Sequence, residues 1–209
     1  MSSKTLFVSF EGIEGSGKST QISLLQKHYQ AQGRSVLSTR EPGGTKLGER
    51  MRALFTQEEK MSDRCEFLLV SAARAQHVQE LLLPSMGKYD LILCDRYMDS
   101  SVAYQSAGRD LDVDTVHQIN AFATQGLVPD LTIFLDIPVE LSLERVDQRQ
   151  SGNKDRFEKQ DQRFHEKVRQ GYQDLCKKQS DRIKEFDGTQ DSTLLSQQLI
   201  QSIDRKASW

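Results

Sequence analysis

The stretch Gly12-Ile13-Glu14-Gly15-Ser16-Gly17-Lys18-Ser19 decides the fold of this chain. It is a complete G-x-x-x-x-G-K-[ST] phosphate-binding loop, and it starts where the apolar run 6–10 ends. Glycines let successive backbone N–H groups converge on phosphate oxygens, Lys18 can reach the terminal phosphates, and Ser19 can offer a hydroxyl to Mg²⁺. The helix expected after the loop points its positive end at the anion. This order of strand, loop and helix predicts a nucleoside triphosphate site.

The composition narrows the class of protein. The 209 residues favour one domain, 1–209, and the net charge of −2 argues against a broad basic surface for nucleic acid. There is no signal-peptide pattern and no apolar run of membrane-spanning length, which favours a cytoplasmic protein with no membrane partner. The cysteines are few and far apart and predict buried, reduced thiols: Cys65, Cys94 and Cys176. The histidines lack metal-ligand spacing and are interpreted as surface or packing residues: His28, His77, His117 and His165.

Short apolar runs alternate with helical segments along the chain. The runs predict strands buried on both faces, as in a parallel sheet: 5–10, 35–39, 89–94, 131–135 and 182–186. The segments between them predict helices: 18–32, 46–56, 63–86, 112–126, 138–150, 161–179 and 191–206. This alternation predicts an α/β fold with a five-stranded parallel sheet flanked by helices in three layers. Ligands of such folds bind at the carboxyl ends of the strands.

Two further motifs follow predicted strands and so fall at that edge. Asp95-Arg96-Tyr97 comes directly after the run 89–94. Asp95 is placed to contribute a carboxylate to the coordination of Mg²⁺, and the guanidinium of Arg96 can donate two hydrogen bonds to one phosphate. The second motif, Arg40-Glu41-Pro42-Gly43-Gly44, forms a tight turn that holds Arg40 at the same edge. The sequence therefore predicts a second anion site beside the phosphate loop.

With Arg74 on an apolar helix, these motifs make the chain resemble the bacterial thymidylate kinase family, from about residue 6 to residue 191. The matching stretches are 11–20, 39–44, 71–74, 95–105, 129–132 and 187–190. The resemblance implies a nucleoside monophosphate kinase type of P-loop fold with a short lid, at about 145–158. It implies ATP-dependent phosphorylation of dTMP to dTDP with Mg²⁺ as cofactor. It also implies a homodimer, in which the apolar helix 63–86 packs across a two-fold axis.

The resemblance assigns residues to two nucleotides. ATP is expected at the loop and at four residues beyond it: Gly12, Ile13, Glu14, Gly15, Ser16, Gly17, Lys18, Ser19, Thr20, Arg145, Thr189 and Gln190. The expected dTMP site has Arg40 and Arg96 on the phosphate, Glu14 at the sugar 3′-hydroxyl, and Tyr104 beneath the deoxyribose. Its base-binding residues are expected to be Phe67, Arg74, Ser101 and Gln105. The Glu41–Pro42 peptide is expected to be cis.

Two positions carry the remaining expectations. Family members usually have a phenylalanine one helical turn before the base-binding arginine, but this chain has Val70 there, so Phe67 is the candidate for the stacking ring. The phosphate loop contains no arginine. Since a γ-phosphoryl group in transit needs a cation, the lid is expected to supply Arg149 or Arg156, with Arg156 favoured. Lys18 and Arg96 complete the expected catalytic set.

Three alternatives remain open at this point. The chain could be another (d)NMP kinase of the same fold, such as one for UMP/CMP or dGMP. A GTPase switch is disfavoured because Asn153-Lys154-Asp155-Arg156 ends in arginine where guanine recognition needs an acid. An ATP-gated binding module without an acceptor is disfavoured by Arg40, Arg96 and Glu14 at one edge.

Overall fold

The apolar runs form one sheet in which every neighbouring pair of strands is parallel. The computed structural model describes residues 4–57, 60–148, 156–158 and 160–207. The strands are β1 Leu6–Glu11, β2 Val36–Arg40, β3 Leu91–Asp95, β4 Leu131–Asp136 and β5 Ile183–Asp187. Their order in the sheet is β2-β3-β1-β4-β5, with β1 in the centre between β3 and β4. The predicted strands are thus confirmed, each within one or two residues at either end.

Helices connect the strands and cover both faces of the sheet. They are α1 Lys18–Ala31, α2 Lys46–Gln57, α3 Asp63–His77, α4 Leu83–Ser85, α5 Met98–Ser101, α6 Val113–Thr124, α7 Val139–Asp147, α8 Gln162–Lys178 and α9 Ser192–Lys206. A π-helical turn, Val78–Leu82, joins α3 to α4, so the predicted helix 63–86 is continuous. A second π-helical segment, Val102–Gly108, extends α5.

The sequence did not predict the helical segment formed by α5 and Val102–Gly108. Its residues are small or polar and lack a clear apolar period, because the segment packs against α8 through close backbone contact. A Cβ added at Gly171 of α8 would lie 2.7 Å from Cβ of Ala107, and one added at Gly108 would lie 2.8 Å from the ring of Phe164. Small residues are therefore required where these two helices touch.

The core divides into the two faces of the sheet. On one face α1 and α9 pack through a cluster that includes Leu25 and Leu199, both fully buried. On the other face α3, α6 and α8 pack around residues such as Val116 and Val168. This is the expected three-layer arrangement. Both layers leave the carboxyl edge of the strands to the loops that carry the motifs singled out in the sequence.

Two smaller observations complete the fold. Within the described ranges, no helix has the length and apolar character needed to cross a bilayer. Cys94 and Cys176 are buried and free, as expected, but Cys65 is exposed, so the prediction of burial is wrong for that thiol. Cys65 lies in the first turn of α3, where its side chain faces solvent.

Candidate active site

The phosphate loop lies between β1 and α1 and closes around the side chain of Lys18. Its ammonium donates to the carbonyls of Gly12 and Ile13, at 3.0 and 2.9 Å. Ser16 Oγ accepts a third hydrogen bond at 3.2 Å. Gly12 has φ 141°, and a Cβ there would lie 2.6 Å from the carbonyl oxygen of Leu135. The loop conformation therefore requires glycine at this position.

The ammonium of Lys18 is buried and lies near the positive charge of Arg96. Only 7 % of the residue is exposed. Burial lowers the pKa of Lys18 to about 8, with the charge of Arg96 adding to the effect and the nearby carboxylates opposing it. An anion in the loop would favour the charged form, because it adds negative charge to that of the nearby carboxylates.

A hydroxyl and a carboxylate meet where α1 begins and β3 ends. Ser19 Oγ donates to Asp95 Oδ2 at 2.6 Å. Among the described residues, no three His, Cys, Asp or Glu side chains form a metal site of their own. Mg²⁺ is usually held by one or two protein ligands together with phosphates and water. The Ser19–Asp95 pair fits that requirement.

One cavity, which we call the loop cavity, opens beside the phosphate loop. Arg145 of α7 donates to the carbonyls of Gly15 and Gly188, at 3.0 and 3.3 Å, and so joins the loop to the segment after β5. Thr189 stands next to this wall, with its N–H donating to Asp187 Oδ1 at 2.8 Å. The residues lining the loop cavity are Gly15, Ser16, Gly17, Thr20, Gln21, Arg145, Gly188, Gln190, Ser192 and Leu195.

A second cavity, which we call the arginine cavity, has an empty volume of about 560 Å³. Glu14 faces it, whereas residues 15–17 face the loop cavity, so the phosphate loop contributes to both. The residues lining the arginine cavity are Glu14, Glu41, Pro42, Arg52, Phe55, Thr56, Val70, Arg74, Arg96, Ser100, Ser101, Tyr104, Gln105 and Phe157. Most of the predicted acceptor residues are thus brought together: Glu14, Arg74, Arg96, Ser101, Tyr104 and Gln105.

Arg96 connects the end of β3 to the phosphate loop. Its guanidinium donates to the Gly12 carbonyl at 2.9 Å and to Glu14 Oε1 at 2.8 Å. Tyr104 donates to the same carboxylate oxygen at 2.7 Å, and its ring lies 5.0 Å from the centre of the guanidinium. Burial raises the pKa of Glu14, but Arg96 and Lys18 outweigh it and hold that pKa below its usual value. Glu14 is therefore an ionised acceptor between two cations.

The backbone at Arg96 is in the left-handed region, with φ 68°. Such a conformation costs a non-glycine residue roughly 1–3 kcal/mol and is concentrated at functional sites. Here it turns the chain so that the Arg96 N–H donates to the Phe10 carbonyl at 2.9 Å while the side chain reaches the phosphate loop. The strained turn places the guanidinium at the boundary of the arginine cavity.

Arg74 is a fully enclosed arginine on the cavity wall, with 1 % exposed. It donates to Glu41 Oε2 at 2.7 Å and to Ser101 Oγ at 2.8 Å. It also donates to Asn120 Oδ1 at 2.6 Å and to the Tyr97 carbonyl at 2.9 Å. The guanidinium thus organises the residues around it as well as facing the cavity.

Glu41 is a buried carboxylate for which the sequence predicted no role. Besides Arg74 it binds His77, whose Nδ1 lies 2.9 Å from Glu41 Oε1. Burial raises the pKa of Glu41, but Arg74 and His77 outweigh it and keep the pKa below its usual value. The Glu41–Pro42 peptide is cis, which confirms the prediction. The spacing of Arg74 and His77, three residues apart on one helix, is the signal that could have indicated a shared acid.

The structure places two predicted acceptor residues away from the cavity. Arg40 is half exposed and pairs with Glu49 at 2.8 Å. Phe67 is buried in the core and lines a separate depression with Leu111 and Val116. Residues 67 and 70 of α3 lie about 60° apart around the helix axis, and within this shared face Val70 lines the arginine cavity while Phe67 lines the depression.

The lid arginines have different positions. Arg149 lies outside the described residues. Arg156 pairs with Glu66 at 2.9 Å and donates to the Met61 carbonyl at 3.0 Å, both at the N-terminal end of α3. Glu66 is fully buried and also accepts from Gln105 at 3.0 Å. The structure thus holds Arg156 on a buried carboxylate beside the arginine cavity, and the expectation that it faces the γ-phosphate stays a prediction.

Several cavity residues were missed by sequence reasoning. Arg52, Phe55 and Thr56 lie on one face of α2 at spacings of three and four, and this periodicity was the available signal. Phe157 offered no signal because its position depends on contacts distant in sequence. His165 was expected on the surface or in packing, yet its buried Nδ1 lies 3.7 Å from Glu14 Oε2.

A phosphate loop that contributes to two cavities on a β2-β3-β1-β4-β5 parallel sheet defines the nucleoside monophosphate kinase fold. The family model for thymidylate kinase matches residues 10–200. The thymidylate kinase of Pediococcus pentosaceus is 41% identical over 202 residues, which cover 95% of this chain and 97% of that one. The chain belongs to the thymidylate kinase family.

Two further comparisons agree with this assignment. The thymidylate kinase of Acinetobacter baylyi is 43% identical over 201 residues, covering 95% of this chain and 98% of that one. The crystal structure of thymidylate kinase from Ehrlichia chaffeensis superposes with a TM-score of 0.77 at 30% identity, and covers 95% of this chain and 98% of that chain.

The lowered pKa of Lys18 predicts how triphosphate binding depends on pH. Because deprotonation removes the positive charge that an anion needs, affinity should fall as pH rises through about 8. We expect the Kd of ATP to be nearly constant between roughly pH 6.5 and 7.5 and to rise about fivefold from about pH 8 to pH 9. Calorimetric or fluorescence titration at each pH would measure it.

The matched control is Lys18→Arg, since a guanidinium stays charged throughout this range. Its affinity for ATP should lack the step above pH 8. An equal step in Lys18→Arg would assign the titration to another group.

Proposed function

We propose that this chain transfers the γ-phosphoryl group of ATP to dTMP and so produces dTDP for dTTP synthesis. The observation that carries the proposal is the Arg96–Glu14 pair, at 2.8 Å, on the wall of the arginine cavity and in contact with the phosphate loop. A protein that binds only ATP needs neither this arginine nor this carboxylate beside its phosphate loop. A cation and a carboxylate together suit a second substrate that has both a phosphate and a hydroxyl.

The arginine cavity is the proposed dTMP site. Arg96 binds the acceptor phosphate, Glu14 accepts from the sugar 3′-hydroxyl, and Tyr104 packs against the deoxyribose where a 2′-hydroxyl would clash. Arg74 binds the edge of the base. Ser101 and Gln105 complete the polar contacts of the base, and both face the cavity. Arg40 and Phe67, which the resemblance also assigned to dTMP, do not line this cavity and are left out of the proposed site.

The loop cavity is the proposed ATP site. The loop amides and Lys18 bind the phosphates, and Arg145 lies against adenine, with Thr189 and Gln190 at its edge. Ser19 and Asp95 would hold Mg²⁺, which when bound neutralises charge on the β- and γ-phosphates. The need for ATP and the reduced cysteines suit an enzyme of the cytoplasm.

Catalysis in this proposal is electrostatic, because phosphoryl transfer depends on positioning and on cations at the transferred group. Lys18 acts from the donor side and Arg96 from the acceptor side. Both are held by carbonyl oxygens of the phosphate loop before any ligand binds. Arg149 is the proposed third cation. Arg156 acts indirectly, because its pair with Glu66 stabilises the wall of the arginine cavity.

The choice of acceptor is tested by turnover on a panel of nucleotides. We expect kcat/KM for dTMP to exceed that for UMP, CMP, AMP, GMP and dGMP by at least about tenfold, or ~1.4 kcal/mol of transition-state binding. Coupled release of ADP is the measurement. If another base equals or exceeds dTMP, the thymidylate assignment fails while the kinase assignment stands; no ADP release with any acceptor would favour a binding module.

Arg96 and Lys18 are expected to differ in the substrate they affect. Arg96→Ala and Lys18→Ala should each lower kcat/KM at least about tenfold. Arg96→Ala should raise the KM of dTMP more than that of ATP, because its guanidinium lies at the arginine cavity. Steady-state kinetics with each substrate varied would show this. Equal effects of Arg96→Ala on both KM values would contradict its assignment to the acceptor phosphate.

The two lid arginines are expected to separate into two phenotypes. Arg149→Ala should lower kcat about a hundredfold, at the modest end of arginine effects on phosphoryl transfer, with little change in the KM of dTMP. Arg156→Ala should mainly raise the KM of dTMP, because it leaves Glu66 with one cation fewer beside the cavity. If Arg156→Ala instead lowered kcat strongly and left the KM of dTMP unchanged, Arg156 would be assigned to stabilising the transition state.

The proposal includes a homodimer formed through the layer that contains α3 and α6. These helices pack together, and each exposes a large apolar side chain: Leu68 is 56 % exposed and Phe122 is 86 % exposed. Apolar groups of this size on adjoining helices suit burial against a second copy.

Light scattering at micromolar protein should therefore give the mass of a dimer, and Phe122→Glu should give the mass of a monomer. Leu194→Glu is the matched control, since Leu194 is 49 % exposed on α9, in the opposite layer. A monomeric mass for the unaltered protein, or a monomer produced equally by Leu194→Glu, would contradict this interface.

A further inference from the structure

One wall of the arginine cavity carries an aliphatic side chain where the family resemblance leads us to expect a ring. Val70 lies one helical turn before Arg74 and is 6 % exposed on the cavity wall. A planar base gains from packing against a flat aromatic face, which an isopropyl group lacks. Phe67 does not supply that face, since it lines the depression formed with Leu111 and Val116.

Two phenylalanines from other segments line the cavity. Phe55 comes from α2, and Phe157 comes from the short segment ahead of α8. Their ring centroids lie 4.7 Å apart and the ring planes are tilted by 29°, so the two rings are stacked. Tyr104 meets Phe157 edge-on, with centroids 5.8 Å apart. Among the described residues, these three rings are the aromatic lining of the cavity.

Phe157 is fixed by its neighbours without any ligand. Its carbonyl accepts from the Gln160 N–H at 3.0 Å, and Arg109 binds Gln160 Oε1 at 2.9 Å. The preceding residue, Arg156, is anchored on Glu66 at 2.9 Å. Only 5 % of Phe157 is exposed. A ring fixed in this way offers a flat surface without further loss of side-chain entropy on binding.

We propose that Phe55 and Phe157 together form the aromatic surface against which the base of the acceptor nucleotide packs, in place of a ring at position 70. The inference rests on the proposed function, because it assigns the base to the arginine cavity. It makes the two phenylalanines affinity-determining residues for the base in this chain, and it explains how Val70 is compatible with binding of a base.

Affinity for dTMP, measured by calorimetry, tests the proposal. Phe157→Leu and Phe55→Leu should each raise the Kd of dTMP about tenfold, as loss of base–aromatic packing does elsewhere, and leave the Kd of ATP within about twofold. Phe67→Leu is the matched control: it removes a buried ring from the same layer and should leave the Kd of dTMP within about twofold. Phe157→Tyr, which keeps the ring, should bind dTMP like the unaltered protein.

Position 70 gives a test that does not depend on removing a buried ring. Val70→Phe in the unaltered protein should not improve dTMP binding, because the aromatic surface is already present. In the Phe157→Leu protein, the same change should restore at least part of the lost affinity. A Phe67→Leu effect as large as that of Phe157→Leu, a gain from Val70→Phe alone, or unchanged affinity in both Phe55→Leu and Phe157→Leu would overturn the proposal.

Failure of this inference is distinguishable from failure of the proposed function. The substrate panel identifies the acceptor of the unaltered protein first. If that acceptor is a nucleotide other than dTMP, the same variants are measured with it, and the aromatic surface is then supported or overturned on that ligand.

Discussion

The buried guanidinium of Arg74 holds together the loops on which the acceptor side depends. It joins α3 to the turn after β2 through Glu41, to the segment after β3 through Tyr97 and Ser101, and to α6 through Asn120. Removing one partner of a buried ion pair costs about 3–5 kcal/mol, because the other charge is left without compensation. The geometry of the arginine cavity is therefore fixed by an ion pair within the protein itself.

A second buried network supports the same loops at the carboxyl end of the central strand β1. Glu11, at the end of β1, accepts from the Tyr97 N–H at 2.8 Å and from Tyr172 Oη at 2.9 Å. Burial, with the charge of Asp99 next in effect, raises the pKa of Glu11 to about 7. Because the folded pKa lies above the unfolded value, the contribution of Glu11 to stability is present below the unfolded pKa and is lost as pH rises through about 7. Arg182 limits this loss by neutralising Asp99 at 2.7 Å.

The donor side of the site could be predicted from sequence, and the acceptor side only in part, for a physical reason. The loop residues from Gly12 to Ser19 are contiguous, so their spacing alone fixes the chemistry. The strands β1, β3 and β4 were readable because both of their faces are buried, whereas the edge strands β2 and β5 are largely half-buried or exposed, so the prediction of two buried faces is wrong for those two. The segment around Glu41 gave no signal of its own, since its partner Arg74 lies 33 residues away. Phe157 gave none either, since the ring that it stacks on is Phe55 of α2. The segment Val102–Gly108 was missed because close packing selects small residues over an apolar period.

This difference between the two sides determines where specificity can change. The loop cavity includes glycines that leave little room for a side chain: a Cβ at Gly15 would lie 3.1 Å from the Ser142 carbonyl oxygen, and one at Gly188 would lie 2.8 Å from Cγ2 of Ile137. The arginine cavity is instead built from side chains on α2, α3, the segment after β3 and the segment before α8. A side chain lost from one of these segments can be replaced by another that reaches the same space. In our proposal Val70 with Phe55 and Phe157 is such an arrangement, because the base packs on rings from other segments while Arg96 and Glu14 keep their contact at the phosphate loop.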